Sequence, residues 1–284
     1  LKKFDFNAII FCNKKLERGK RMPPELYAFL LTLFAGLSTG IGGLIAFHRH
    51  AKSKIFLTFA LGFSAGVMIY VSFVEIIPKS IDSLAAIFDE KTGYIYAVIS
   101  FFVGMGFIAL IDWLIPEKEN PHEIPDDLDS EGSKKNLMRM GMFSALAIAI
   151  HNFPEGLATF VAAIDSLSLG ISIAIAIALH NIPEGIAVAV PIYQATNSKK
   201  KAFGYAFFSG LAEPVGAIIG YFLLRAIFSD LTFGLVFAFV AGIMIYISLD
   251  ELLPTAEKYG KHHISITGVI LGMIVMAVSL IIFA

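Results

Sequence analysis

His151-Asn152-Phe153-Pro154-Glu155-Gly156 recurs, with one residue changed, as His180-Asn181-Ile182-Pro183-Glu184-Gly185, and each copy lies near the middle of a long apolar stretch. An ionisable side chain is costly to hold in hydrocarbon. Two matching sets of imidazole, amide and carboxylate therefore call for a shared partner that offsets their burial. In a helix, residues i and i+4 share a face, which places His151 with Glu155 and His180 with Glu184. Asn152 and Asn181 stand within i+3 reach of the same glutamates. Pro154 and Pro183 lack an N–H and crowd the carbonyls of Ile150 and Leu179, so each helix is expected to open beside these groups. Gly156 and Gly185 permit close backbone approach.

Outward from these two segments the chain is apolar almost throughout. Of 284 residues, 57% are hydrophobic and only 16% charged, and the mean hydropathy is +0.76, which identifies a polytopic membrane protein. A net charge of -1 gives no basic footprint for nucleic acid. Cys12 is the single cysteine, which excludes an internal disulfide and a thiolate-rich structural zinc site; a metal here must be held by nitrogen and oxygen. Apolar spans are expected at 24–47, 52–78, 93–115, 138–163, 167–193, 201–228, 231–254 and 263–284, each reaching the ~20 residues that cross a bilayer.

The outermost spans are related in pairs. Ala65-Gly66-Val67-Met68-Ile69-Tyr70-Val71-Ser72, continued by Glu75 and Pro78, returns at a constant separation of 176 positions as Ala241-Gly242-Ile243-Met244-Ile245-Tyr246-Ile247-Ser248, with Glu251 and Pro254. Spans 1 and 6 match more weakly, Phe34-Ala35-Gly36-Leu37 against Phe208-Ser209-Gly210-Leu211, and spans 3 and 8 share Gly104-Met105 and Gly272-Met273. Charge gives the sense of each. Loops after spans 1, 3, 5 and 7 carry twelve Lys and Arg and the opposite loops three (Lys79, Lys91 and Arg225), so the first group is cytoplasmic and both termini lie outside. Spans 2 and 7 then run in opposite directions. The expected fold class is an all-α polytopic membrane protein of eight transmembrane helices in a 3+2+3 arrangement, with an inverted repeat relating spans 1–3 to spans 6–8. Such repeats are a mark of secondary transporters. Residues 22–284 read as one transmembrane domain with a cytoplasmic acidic loop at 116–137. Residues 1–21 would place seven further positive charges outside; with Met22 directly before span 1, they read as a disordered extension or non-native start.

The candidate site is His151, Asn152, Glu155, His180, Asn181, Glu184 and Glu213. Span centres near 150, 180 and 214 put His151, His180 and Glu213 at one depth, and Pro214 predicts a third helix break there. Imidazole with carboxylate suits Zn, Fe(II), Co, Ni or Mn ions. Spacing alone leaves one ion or two open. Glu75 and Glu251, each three residues before Pro, mark either helix ends near water or waypoints for an ion on its way in or out, and Asp250 joins Glu251 as an inner candidate. His48, His50, His262 and His263 lie beside loop charges and are expected to be solvated.

These motifs, with Ser209-Gly210-Leu211-Ala212-Glu213 and Asp250-Glu251-Leu252-Leu253-Pro254, resemble the ZIP (Zrt/Irt-like) metal transporters, in particular their bacterial zinc-uptake branch, over essentially everything from Met22 onward. The resemblance implies import of divalent metal across the bacterial inner membrane, with zinc as transported substrate, iron, cobalt and manganese as further cargo, and no organic cofactor. It implies one ion held by His151, Glu155, His180 and Glu184 and another by Asn152, Glu155, Asn181, Glu184 and Glu213. It also implies that spans 1, 4, 5 and 6 move as a unit against the others. A homodimer is compatible with this reading. Many eukaryotic members carry a His-rich loop after span 3; here 116–137 offers only His122 among seven acidic residues. A membrane-embedded metalloenzyme with a di-metal site is the alternative chemistry, but no H-E-x-x-H pattern accompanies the hexapeptides and catalysis leaves the repeat unexplained.

Overall fold

The computed structural model describes residues 23–48, 53–114, 133–224 and 229–283. The expectations for residues 1–21, for His50, for Arg225 and for the acidic loop up to residue 132 lie outside them. Among the described residues there is no strand, and eight helices are long and apolar enough to cross a membrane: Pro24–Ile45, Lys54–Ala85, Glu90–Leu114, Ser144–Asp165, Leu167–Thr196, Lys199–Phe222, Asp230–Glu257 and His262–Ile282. These are spans 1 to 8. A helix satisfies its own backbone within one segment, which suits an apolar span in hydrocarbon.

Local chemistry sets the ends. Ser166 alone separates spans 4 and 5, and its hydroxyl accepts from the Leu169 N–H. Span 5 ends at Asn197, which takes the left-handed conformation (φ 51°) that Asn tolerates better than most residues. Ser198 and Ser229 then cap the next two spans. Before span 3 the Asp89 carboxylate accepts the Lys91 and Thr92 N–H groups at 3.1 and 3.0 Å; bonds from Thr92 hold it below its ordinary pKa. The helix of span 4 begins at Ser133, so the last five residues of the expected 116–137 loop are helical.

The prolines act differently from expectation. Spans 4 and 5 continue as α-helix through Pro154 and Pro183, because neighbouring helices hold the backbone on both sides of each ring. The break in span 6 falls at Leu211, between Lys199–Gly210 and Ala212–Leu224, one turn before Pro214, where the ring removes the N–H that would have bonded the Gly210 carbonyl. Ahead of Pro78 and Pro254 the helix widens into π turns over Ser72–Ile76 and Ser248–Leu252. The Ile77 N–H reaches Ser72 O and the Leu253 N–H reaches Ser248 O, five residues back in both cases. Glu75, Asp250 and Glu251 all sit on these turns, a rare helical form that is frequent at functional sites.

Packing follows the repeat residue by residue. Span 2 lies on span 8 and span 7 on span 3. A Cβ on Gly66 would stand 2.1 Å from Val269 O, and one on Gly242 2.0 Å from Phe101 O; likewise Gly272 faces Phe63 O at 2.2 Å and Gly104 faces Phe239 O at 2.0 Å. Small residues let the backbones meet, as membrane helices require when burial from water gives them no drive to associate. Spans 1 and 6 cross at Gly36 and Gly210, each of which faces the other's carbonyl. Span 5 is the most enclosed, with 78% of its apolar window buried, against 22% for span 3 and 28% for span 8. Spans 3 and 8 are therefore peripheral, presenting Phe102, Phe107, Trp113, Ile274 and Ile281 outward, while the hexapeptides occupy the middle.

Candidate metal site

All seven candidate residues of the centre, His151, Asn152, Glu155, His180, Asn181, Glu184 and Glu213, are buried to 1% exposure or less. Spans 4 and 5 form a tight antiparallel hairpin about Ser166, and this brings the hexapeptides together head to tail. In the Nε2–H tautomer His151 donates to Glu184 Oε2 and His180 to Glu155 Oε2, both at 3.2 Å. The two pairs thus run between helices rather than within one. The i, i+4 spacing gives each His and Glu a common face, and the facing helix then supplies the nearer partner.

The amides reach outward to the flanking spans. Asn181 Nδ2 donates to Ala35 O at 3.0 Å and to Glu213 Oε1, and Asn152 Nδ2 donates to Ser209 O at 3.4 Å. Ala35 and Ser209 are equivalent positions in the weakly matched spans 1 and 6. The glycines that end the hexapeptide motifs obey the same pairing: a Cβ on Gly185 would lie 1.9 Å from Thr39 O, and one on Gly156 2.1 Å from Glu213 O. Thr39 and Glu213 are therefore counterparts, one turn beyond Ala35 and Ser209. From span 2, Ser64 Oγ approaches His180 O at 3.4 Å and Glu184 Oε1 at 3.5 Å.

Lone pairs at this centre outnumber the partners that the protein gives them. Nine buried side-chain polar atoms among the described residues lack a hydrogen-bond partner, and seven of them belong here: Thr39 Oγ1, His151 Nδ1, Asn152 Oδ1, Glu155 Oε1, His180 Nδ1, Asn181 Oδ1 and Glu213 Oε2. Buried polar atoms are ordinarily paired, so an orphan cluster fits a site whose bonds a water or an ion completes. Among the described residues no three His, Cys, Asp or Glu side chains are closed into a ready coordination cluster. The His–Glu contacts occupy them two by two, and a cation would enter by exchanging those bonds for its own.

Two cavities lie beyond the centre. A small one of about 30 Å³ joins His151 to Asp112, Tyr246, Asp250 and Glu251; a larger one of about 490 Å³ is lined by Tyr70, Glu75, Lys79, Ser166, Ser172 and Leu280. Glu75, Asp250 and Glu251 are all partly buried. His48, His262 and His263 are exposed, and His262 contacts Glu257 at 2.6 Å. Sequence reasoning missed Thr39, Ser64 and Asp112. Thr39 had a signal in the weak match of spans 1 and 6 that aligns it with Glu213, and Asp112 had one as an acidic residue inside the expected span 93–115.

Eight apolar helices around buried histidines and carboxylates define an integral membrane protein of the polytopic class with an internal polar site. The family model described as ZIP Zinc transporter matches residues 20–112 and 116–280, and the chain belongs to this family, which is one of transporters and not of enzymes. It is 62% identical over 262 residues, 91% of this chain and 98% of the relative, to the zinc transporter ZupT of Chlorobaculum parvum. It is 60% identical over 256 residues (90% and 97%) to that of Streptococcus mutans, and 56% identical over 284 residues (94% and 100%) to that of Clostridium perfringens.

Proposed function

We propose that this protein imports divalent metal, zinc foremost, into the cytoplasm through the centre built by His151, Asn152, Glu155, His180, Asn181, Glu184 and Glu213. The observation that carries this reading is the orphan cluster: four nitrogen or oxygen atoms of the His and Glu side chains, with the Asn oxygens, stand buried without partners where spans 4, 5 and 6 meet. Imidazole and carboxylate together suit zinc, and the same donors accept iron(II), cobalt and manganese as lesser cargo. One ion is held by His151, Glu155, His180 and Glu184, the second by Asn152, Glu155, Asn181, Glu184 and Glu213, with the two glutamates bridging. The absence of thiolate from this set favours release over trapping.

The route follows the charge sense of the loops. With both termini outside the cell membrane, Glu75 and its cavity lie on the outer side and Glu251, Asp250 and Asp112 on the inner side. The ion sheds water at the first, takes His and Glu ligands at the centre, and leaves past the second when spans 1, 4, 5 and 6 shift against the frame of spans 2, 3, 7 and 8. The glycine-to-carbonyl seams between spans 2 and 8 and between spans 3 and 7 support a rigid frame. Zinc entry into liposomes that hold the purified protein and an internal zinc-responsive dye tests this. Flux above that of protein-free liposomes is expected; zinc binding without flux would overturn the assignment.

A further inference from the structure

Five threonines in the helices of this protein share one habit, whereas Thr92 and Thr232, in first turns, bond Asp89 and Ser229 instead. Thr32, Thr58, Thr159, Thr196 and Thr267 each donate the side-chain hydroxyl to the carbonyl four residues back, at 2.7 to 2.9 Å. Thr39 breaks it. The carbonyl four residues back is Ala35 O, and that atom already accepts Ser38 Oγ at 2.5 Å and Asn181 Nδ2 at 3.0 Å. Thr39 is fully buried, and its hydroxyl is left without a partner. A free hydroxyl in such a place is costly unless something else bonds it.

Its surroundings say what that is. Thr39 lies where spans 1, 5 and 6 meet: its carbonyl faces Gly185, beside Glu184, and its hydroxyl stands 2.9 Å from where Gly210 would carry a Cβ. Asn181, which consumes the Ala35 carbonyl, has its own Oδ1 unpartnered. On the other side of the pseudo-symmetric centre the matching position is Glu213, an anionic donor. Span 1 thus offers a neutral hydroxyl where span 6 offers a carboxylate.

We infer that Thr39 is a positioning residue that holds a water molecule in the coordination shell of the ion, so that the span 1 side of the site keeps its cargo partly hydrated while the span 6 side strips it. This rests on the transport reading above. A retained water raises the coordination number, which favours manganese and cobalt, whose preferred geometry is octahedral, more than zinc, which is content with four ligands.

The test substitutes Thr39→Val, which keeps shape and removes the hydroxyl, and Thr39→Ser, which restores it. In detergent-solubilised protein titrated with manganese, T39V is expected to lose roughly threefold to tenfold in affinity, the worth of one hydrogen bond, and T39S to recover it. Cobalt-loaded T39V should show stronger visible absorption bands than wild type as its shell contracts, with T39S again like wild type. Unchanged cobalt spectra in T39V, or an equal loss for zinc and manganese that Ser does not repair, would overturn the inference. Thr39→Ala removes the same hydroxyl with less bulk and replaces T39V in both measurements if the valine protein does not fold. Absence of zinc flux in wild type would defeat the transport reading instead, because the spectra are read without transport.

Discussion

The two halves of the centre share one scaffold and differ in chemistry. Asn181 holds Ala35 O and Asn152 holds Ser209 O; Gly185 admits Thr39 and Gly156 admits Glu213; Gly42 meets Ile182 O and Gly216 meets Phe153 O, each at 2.0 Å from a notional Cβ. Each of these backbone contacts has its counterpart, yet one half presents a hydroxyl and the other a carboxylate. Backbone approach is set by small residues and carbonyls and must be kept wherever the helices cross. Side chains are held less strictly, and Thr39 and Glu213 differ on an otherwise shared frame.

The comparison can be broken most severely at the shared carboxylates. Glu155→Ala or Glu184→Ala removes the acceptor of one cross-helix His pair and a donor to both proposed ions, and zinc uptake in liposomes is expected to fall to the level of protein-free vesicles. Normal flux in both variants would remove these residues from the site. Next comes the scaffold. Gly156→Ala and Gly185→Ala each force a methyl against a backbone carbonyl, and thermal unfolding in detergent should reveal a loss of about 1–3 kcal/mol for each. A drop in one variant alone would show that the halves are not packed alike. The smallest effect sharpens the chemical difference: Glu213→Gln keeps an oxygen to accept from Asn181 but removes the charge, and zinc affinity is expected to fall about threefold to tenfold. An unaltered affinity would make Glu213 a packing partner of Asn181 and no ligand.

The spans and the hexapeptides were legible in the sequence because burying charge in an apolar run leaves a mark that composition alone reveals. The repeat in spans 2 and 7 was equally plain, and its π turns could have been suspected from Pro78 and Pro254. The pairing of His151 with Glu184 was not legible. Periodicity fixes which face a side chain occupies but says nothing of which helix lies opposite. The Ala35 and Ser209 acceptors were beyond reach for a simpler reason, since every residue carries a carbonyl and only geometry selects one. Pro154 and Pro183 misled for the opposite reason: their local cost was real, and the packed neighbours outweighed it.

By itself the sequence determined that this protein resides in a membrane, how many times it crosses, and which polar residues are too expensive to be idle there, because hydrocarbon penalises each charge and each open backbone group one at a time. Tertiary structure alone decided how those residues pair across the hairpin, which carbonyls the amides take, and that Thr39 is left with nothing to bond. Those outcomes depend on how separate helices pack against one another, and steric contact at a few glycines sets them.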